Sequence, residues 1–402
     1  MLIATGPTAR ATPRRGAERV HYVARIDATI STQFVALESP TASRNPAGYH
    51  PTQGLYHRPE GRRPSVAFIA THYNVDFSEH YLAPLLAARG YGFLGWNTRY
   101  RGAEDWFLLE HALIDIGVGV RWLREVAGVE TVVLLGNSGG GSLMAAYQSQ
   151  ATEPNIAPAR GLALPPAVAD LPAADLYVSA QAHIGRPEVL TAWMDPSITD
   201  EADPLSRDAG LDMYDPANGP PYDVSFIQRY RAAQVARNDR ITDWALAELD
   251  RCAAAGAFDR NFNLHRVWAD LRYLDPAIDP SDRPLNRCYI GDPRWANASP
   301  YGIGSSNTLR TWLSMWSLRE SGCRGVPHLQ RITVPALVIQ STADTGVFPS
   351  DARAIHDALG STDKELRLIA GDHYLETPAD ARASTADLVA TWVRARIPGD
   401  PS

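Results

Sequence analysis

The chain has 402 residues, of which 45% are hydrophobic and 21% charged, with a formal net charge of −7. This length leaves room for a second domain, and the composition is that of a globular protein. The acidic balance argues against nucleic acid or acidic lipid as a partner, and no apolar run of roughly 18 residues is present to form a membrane span.

Arg10, Arg14 and Arg15 lie near the N-terminus without the apolar stretch of a secretory signal. Residues 1–18, polar and interrupted by Pro and Gly, are expected to be flexible. The cysteines Cys252, Cys288 and Cys323 are odd in number and widely spaced. They match neither a disulfide framework nor a zinc pattern, which fits a reducing, cytoplasmic setting.

Alternating stretches between residues 18 and 55 predict antiparallel leading strands. Residues 65–70 predict the third strand of the sheet, followed by the loop Thr71-His-Tyr-Asn-Val-Asp76. A helix over 79–89 ends at Gly90, and 91–96 predict the next strand. Its exit loop carries Arg99 and Arg101, whose expected role is to brace the loop through ion pairs rather than to bind an anion. Apolar residues at helical spacing over 106–126 predict a helix.

The most informative segment comes next. Thr131-Val-Val-Leu-Leu135 reads as a buried strand running into Gly136-Asn-Ser-Gly-Gly140, and a helix follows from Ser142. This is G-x-S-x-G in a strand–turn–helix context, where the serine is pushed into the open on a sharp turn. Flanking glycines are required because a side chain there would meet the neighbouring strand or helix. Ser138 is the candidate nucleophile. The glycine run lacks the Lys-Ser or Lys-Thr of a phosphate loop and the spacing of a dinucleotide fingerprint.

Residues 176–180 predict the sixth strand. Strand–helix alternation then stops over 184–326, a stretch rich in Asp-Pro pairs and helical patterns. Helices are expected over 224–237, 241–255 and 309–317, the last with Leu309, Trp312, Leu313 and Trp316 on one face. This segment is read as a helical cap between strands six and seven, and most of its tryptophans as cap core.

Residues 334–340 predict the seventh strand, turning off into Ser341-Thr-Ala-Asp344. A helix over 351–359 and a strand over 365–369 complete a β-α-β unit that ends in Ala370-Gly-Asp-His373. Asp344 and His373 therefore follow the carboxyl ends of parallel strands, on the edge where open α/β sheets bind ligands. A serine hydroxyl needs an adjacent base oriented by an acid, and the order Ser138, Asp344, His373 supplies both. Asp351 and Asp372 are the rival carboxylates. Two oxyanion donors are also needed: the Gly139 N–H, and one from Tyr73 or Asn74 after the third strand.

Those residues resemble the α/β-hydrolases with a large helical cap, over about 1–183 and 327–402. Asn97-Thr-Arg-Tyr, Leu134 to Ser142, and Leu211-Asp-Met-Tyr-Asp-Pro-Ala-Asn-Gly219 are similar to a bacterial group of such hydrolases, a likeness that implies no substrate. The resemblance implies an α/β-hydrolase fold with an eight-stranded, mostly parallel sheet, a core of 19–183 and 327–402, and a cap of 184–326. It also implies a Ser138–Asp344–His373 triad and an acyl-enzyme route; the expected substrate is a carboxylic ester of small to medium size, and the aromatic-rich cap favours a hydrophobic or aromatic one. His72 stands where the family has a His-Gly pair, and Tyr73 replaces the glycine. It is read as shaping the loop rather than binding metal. His72, Trp312, Trp316 and Tyr374 are the candidate pocket residues. No metal or cofactor is called for, the partner is a small molecule, and a homodimer through the cap is carried only as a prior. Thioesters, lactones, amides and small peptides, β-diketone C–C bonds and perhydrolysis are the same-fold alternatives. A non-catalytic ligand receptor is the alternative of another class.

Overall fold

The structure, a computed structural model, describes residues 23–27 and 29–397; the expected flexible segment 1–18 lies outside them. Nine strands form the main sheet: β1 (Val23–Asp27), β2 (Ile30–Leu37), β3 (Thr52–Pro59), β4 (Val66–Ala70), β5 (Gly92–Asn97), β6 (Thr131–Ser138) and β7 (Leu176–Ala182), then, beyond the short strands β8–β11 described below, β12 (Ala336–Ser341) and β13 (Lys364–Ile369). Their order is β1-β2-β3-β5-β4-β6-β7-β12-β13. The six strands from β5 to β13 are mutually parallel, and the leading three are antiparallel. The mostly parallel sheet is as expected, with one strand more than eight. The addition is β3, whose Gly54, His57 and Pro59 obscure its alternation in sequence.

Strands β4, β5, β7 and β12 are buried at every position, as strands covered on both faces must be. The two-residue period of the strand divides their side chains between two cores. Ala67, Ile69 and Leu134 pack with Leu113 and Met144 of α2 (Leu109–Glu125) and α3 (Gly140–Thr152). Phe68 and Val133 face the other way, onto Leu86 of α1 (Ala83–Ala87) and Val389 and Trp392 of α10 (Ala381–Arg394). Helix α1 is shorter than predicted. His80 is drawn inward, with Nε2 3.3 Å from Asn137 Oδ1, and the chain becomes helical only after it.

Residues 183–335 leave the sheet after β7 and return at β12. They carry α4 (Arg186–Trp193), the ribbon β8 (Ile198–Asp200) with β9 (Asp203–Arg207), α5 (Val224–Ala254), β10 (Asn261–Asn263) paired with β11 (Ser306–Thr308), α6 (Pro293–Ala298), α7 (Leu309–Thr311) and α8 (Gly325–Leu329). The two helices predicted over 224–237 and 241–255 are one, begun by Asp223, whose carboxylate accepts the Phe226 N–H at 2.7 Å. Asn238 at the expected break is held by tertiary bonds. Its amide donates to Thr191 Oγ1 (3.0 Å) and the Trp316 carbonyl (2.9 Å) and accepts from the Leu318 N–H (3.0 Å). The helix predicted over 309–317 instead widens into a π turn at Trp312–Trp316. Farther along, α9 (Pro349–Ala358) joins β12 to β13.

The arginines after β5 brace the loop. Arg101 pairs with Asp76 at 3.1 Å. Arg99 is buried and grips Asp115 of α2 through Nη2–Oδ1 (2.7 Å) and Nε–Oδ2 (2.8 Å), while Nη2 also reaches Ser39 Oγ (3.0 Å) and Thr41 Oγ1 (2.6 Å). Removing one partner of such a pair strands a buried charge. Asp115→Ala should therefore cost about 3–5 kcal/mol in denaturant unfolding, and the double variant Arg99→Met/Asp115→Leu should recover most of the loss.

Candidate active site

Chain topology brings four strand ends to one rim. Ser138 pairs with Ala182 at the end of β7, β7 pairs with β12, and Ser341 pairs with Ile369 at the ends of β12 and β13. Asp344 follows Ser341 by three residues and His373 follows Ile369 by four, so their loops open on the rim that carries Ser138.

Ser138 has φ 54°, a left-handed conformation that costs a non-glycine residue free energy. Close approach around it requires glycine. A Cβ on Gly136 would lie 2.5 Å from the Gly141 Cα, and one on Gly140 would lie 2.2 Å from the Thr71 carbonyl oxygen. Asn137 is fixed from both sides, accepting from or facing His80 Nε2 and donating Nδ2–H to the Ala180 carbonyl at 2.8 Å. The Ser138 carbonyl accepts the His183 N–H at 3.0 Å. The serine side chain thus sits at the turn between β6 and α3, with no freedom in the backbone that carries it.

Asp344 Oδ1 accepts the N–H groups of Gly346 (2.9 Å) and Val347 (3.0 Å), which orients the carboxylate. Its Oδ2 accepts from His373 Nδ1 at 2.7 Å, both side chains being buried. That bond places the imidazole proton on Nδ1 and leaves the lone pair on Nε2. Asp351, one rival carboxylate, instead accepts the Phe348 N–H at 2.9 Å and pairs with Arg272 at 3.4 Å. Asp372, the other, accepts the N–H groups of Tyr374 (3.0 Å) and Glu376 (2.9 Å) within its own turn.

The loop after β4 wraps around His72. Its Nδ1 lies 3.2 Å from the Val75 nitrogen, 3.4 Å from that of Asn74 and 3.2 Å from Asn74 Oδ1, while Nε2 faces Gly139. Tyr73 is buried and its hydroxyl meets Ser142 Oγ at 3.1 Å. Of the other candidate pocket residues, Tyr374 lies at the rim with its ring centroid 4.9 Å from that of His373. Trp316 reaches the site through Arg186, whose Cζ is 4.8 Å from its ring centroid. Trp312 does not belong there. It is fully buried, donates Nε1–H to Thr242 Oγ1 at 3.0 Å and packs on Phe262, because the widened turn points it into the core of the excursion.

Several residues at the site carried no assignment from sequence. Tyr289 lays its ring 4.4 Å from that of His373 and brings its hydroxyl to 3.1 Å from Nδ1. His183 and Trp193 pack edge to face at 5.6 Å, and Trp193 packs on Tyr289 at 5.8 Å. Arg186 lies against Gly139 and pairs with Glu104 at 3.1 Å. His183 and Arg186 did have a sequence signal, since they directly follow β7 on the Ser138 rim. Tyr289 had none, lying 55 residues before Asp344, and Glu104, seven residues beyond the end of β5, was not singled out.

No protein-family model matches the chain, and no curated protein matches it in sequence. Among solved structures it is similar to the α/β-hydrolase GrgF from Penicillium sp. sh18, with a TM-score of 0.51 at 11% identity over 90% of this chain and 99% of that one. It is also similar to DcsB, solved in complex with its substrate analogue, with a TM-score of 0.50 at 9% identity over 92% and 100%. The fold is that of the α/β-hydrolases. At these identities the likeness carries architecture alone, and the chemistry rests on the side chains of this chain. Among the described residues no helix is long and apolar enough to cross a membrane.

Burial holds the site's flanking imidazoles neutral. It lowers His72 well below the ordinary 6.5, helped by the Arg186 cation, and does the same to His183 beside His373 and Arg186. His80 falls to about 4, again through burial. Below 6.5 the unfolded chain takes up protons that these folded imidazoles refuse, so their contribution to stability is complete above 6.5 and lost as pH falls toward 4. For His80 alone the loss amounts to about 3 kcal/mol. Thermal midpoints should fall through this window, and His80→Gln should flatten the slope; an unchanged slope would show that His80 does not contribute.

Proposed function

We propose that the protein is a serine hydrolase that cleaves a carboxylic ester of a small to medium-sized substrate through an acyl-enzyme. Ser138 is the nucleophile, His373 the base and Asp344 its orienting acid. The single observation that carries this reading is the 2.7 Å bond from His373 Nδ1 to Asp344 Oδ2, on the rim where Ser138 is held at φ 54°. It leaves the basic Nε2 lone pair for the serine proton.

In the first half-reaction, Ser138 Oγ attacks the ester carbonyl as His373 Nε2 takes its proton. The oxyanion accepts the Gly139 N–H and a second N–H from the loop after β4. Tyr73 is the better donor of the two candidates, since the Asn74 N–H points toward His72 Nδ1. His373 returns the proton to the alkoxide, the alcohol leaves, and Ser138 is acylated. Water, deprotonated by Nε2, then attacks the acyl carbon and releases the acid. Residues 184–326 act as the cap in this reading. Support comes from Tyr289, which that segment sets against His373, and from the aromatic cluster of Trp193 and Trp268, stacked at 4.8 Å. Such a roof favours hydrophobic or aromatic groups on the substrate. A reducing, cytoplasmic setting accords with three buried free cysteines.

Ser138→Ala should lower turnover of short nitrophenyl esters by about 10⁴-fold or more with an unchanged circular-dichroism spectrum and melting point. Substantial residual activity would falsify Ser138 as nucleophile. Ester, thioester, amide and β-diketone substrates measured side by side test the bond type, and faster cleavage of a diketone than of every ester would replace the esterase assignment.

A further inference from the structure

Tyr289 lies against the base, yet the hydrolytic steps above give it no part. It is the second residue of a turn, Cys288 to Gly291, that two backbone bonds close: the Cys288 N–H to the Gly291 carbonyl at 2.8 Å and the Gly291 N–H to the Cys288 carbonyl at 3.1 Å. The chain leading into this turn is tied to residues 342–351, the stretch that carries Asp344. The Asp282 N–H donates to the Thr342 carbonyl at 2.9 Å, and Ser350 Oγ donates to Asp279 Oδ2 at 2.5 Å. Arg272 pairs with Asp351 at 3.4 Å, with its Cζ 4.0 Å from the Phe348 ring centroid.

The ring itself is wedged beside the acid and the base. A Cβ built on Gly346 would lie 2.1 Å from Tyr289 Cζ and 2.4 Å from its hydroxyl oxygen, so the tyrosine sits where it does only because residue 346 is glycine. The Gly346 N–H is one of the two that hold Asp344 Oδ1. The same ring meets the imidazole of His373 with centroids 4.4 Å apart and planes inclined by 38°. Its hydroxyl is 3.1 Å from Nδ1, but Asp344 Oδ2 is closer at 2.7 Å, is charged, and takes the Nδ1 proton. Burial, and then the Asp344 charge, hold the phenol well above its ordinary 10, so a neutral hydroxyl faces the pair. One hydrogen bond to Asp344 fixes Nδ1 and leaves the imidazole free to tilt about that point. A ring packed on its face removes that freedom, and catalytic groups need their orientation held to about 10–20°.

We propose that Tyr289 is a positioning residue of the acid–base pair: packed on His373 and wedged against Gly346, it keeps Nε2 aimed at Ser138. The segment between β7 and β12 thereby supplies part of the catalytic geometry as well as a roof. This rests on the hydrolase reading and adds a residue that acts through His373 without binding the substrate. Loss of the ring is therefore felt in kcat and not in KM.

Steady-state hydrolysis of a short nitrophenyl ester tests the role. Tyr289→Ala should lower kcat by about 10²-fold and move KM by less than about threefold. Tyr289→Phe keeps the ring and should stay within about fivefold of the wild-type kcat. Gly346→Ala, whose methyl displaces the ring without removing it, should lower kcat as well, and it decides the matter if Tyr289→Ala does not fold. In the double variant Gly346→Ala/Tyr289→Ala the two losses should not multiply, because both act through one contact. Wild-type kcat in Tyr289→Ala overturns the proposal, as does a loss confined to KM, an equal loss in Tyr289→Phe, or losses that multiply in the double variant. The far-downfield NMR resonance of the His373 Nδ1 proton, identified by its absence from His373→Gln, needs no turnover. It should broaden in Tyr289→Ala, where water reaches the proton, and persist in Tyr289→Phe; an unbroadened resonance in Tyr289→Ala also overturns the proposal. The expected NMR result with an inactive wild type would retain Tyr289 and reject the hydrolase, whereas turnover that Tyr289→Ala leaves intact would do the reverse.

Discussion

Ser138 can hold its left-handed backbone only because β6 and α3 meet with no side chain between them and the Thr71 carbonyl. The strain is local, and the restraints on it come from three directions: the His183 N–H on the serine carbonyl, the Ala180 carbonyl on the Asn137 amide, and β4 behind Gly140. A strained residue persists when its surroundings over-determine it. Here those surroundings are the central strands of a sheet buried on both faces, the least mobile part of such a fold. The loops bearing Asp344 and His373 are then anchored to the same strands two and three positions along, and the Asp344 carboxylate is fixed by backbone N–H groups before it meets the imidazole.

The excursion between β7 and β12 is held together by different physics. Its sheet content is two short ribbons, and its interior contains charge pairs. Arg237 is fully buried and pairs with Glu201 at 2.7 Å, and Asp195, also fully buried, takes Arg266 at 2.8 Å. Burial pushes the Asp270 carboxyl up, yet Arg272 and Arg231 together pull it well below the ordinary carboxylate range. Pairs of this kind repay little of their desolvation but penalise any packing that separates them. That suits a segment that must set one tyrosine against His373 and one tryptophan on Arg186 without a sheet to register them. The arrangement around Arg186 follows the same logic at the site, since a charge is kept where water is largely excluded by giving it one anionic partner and two aromatic faces.

Legibility in sequence followed locality. Strands β4 to β7 and β12 announced themselves because strands buried on both faces must be continuous apolar runs, and the turn at Ser138 because only glycine tolerates those contacts. β3 was obscured by the residues that suit an antiparallel strand near the edge, and the single helix Val224–Ala254 by a polar stretch at Asn238 whose partners lie 47 and 80 residues away. Trp312 and Trp316 share a helical face in sequence, yet the π turn sends one into the core and the other onto Arg186.

The amino-acid order alone therefore determined the sheet, the elbow and the positions of Ser138, Asp344 and His373 just past their strands, because each depends on spacing within a few residues. Only the tertiary structure decided what surrounds them. Tyr289 and Trp316 arrive at the rim from distant parts of the chain, through packing that no local pattern encodes.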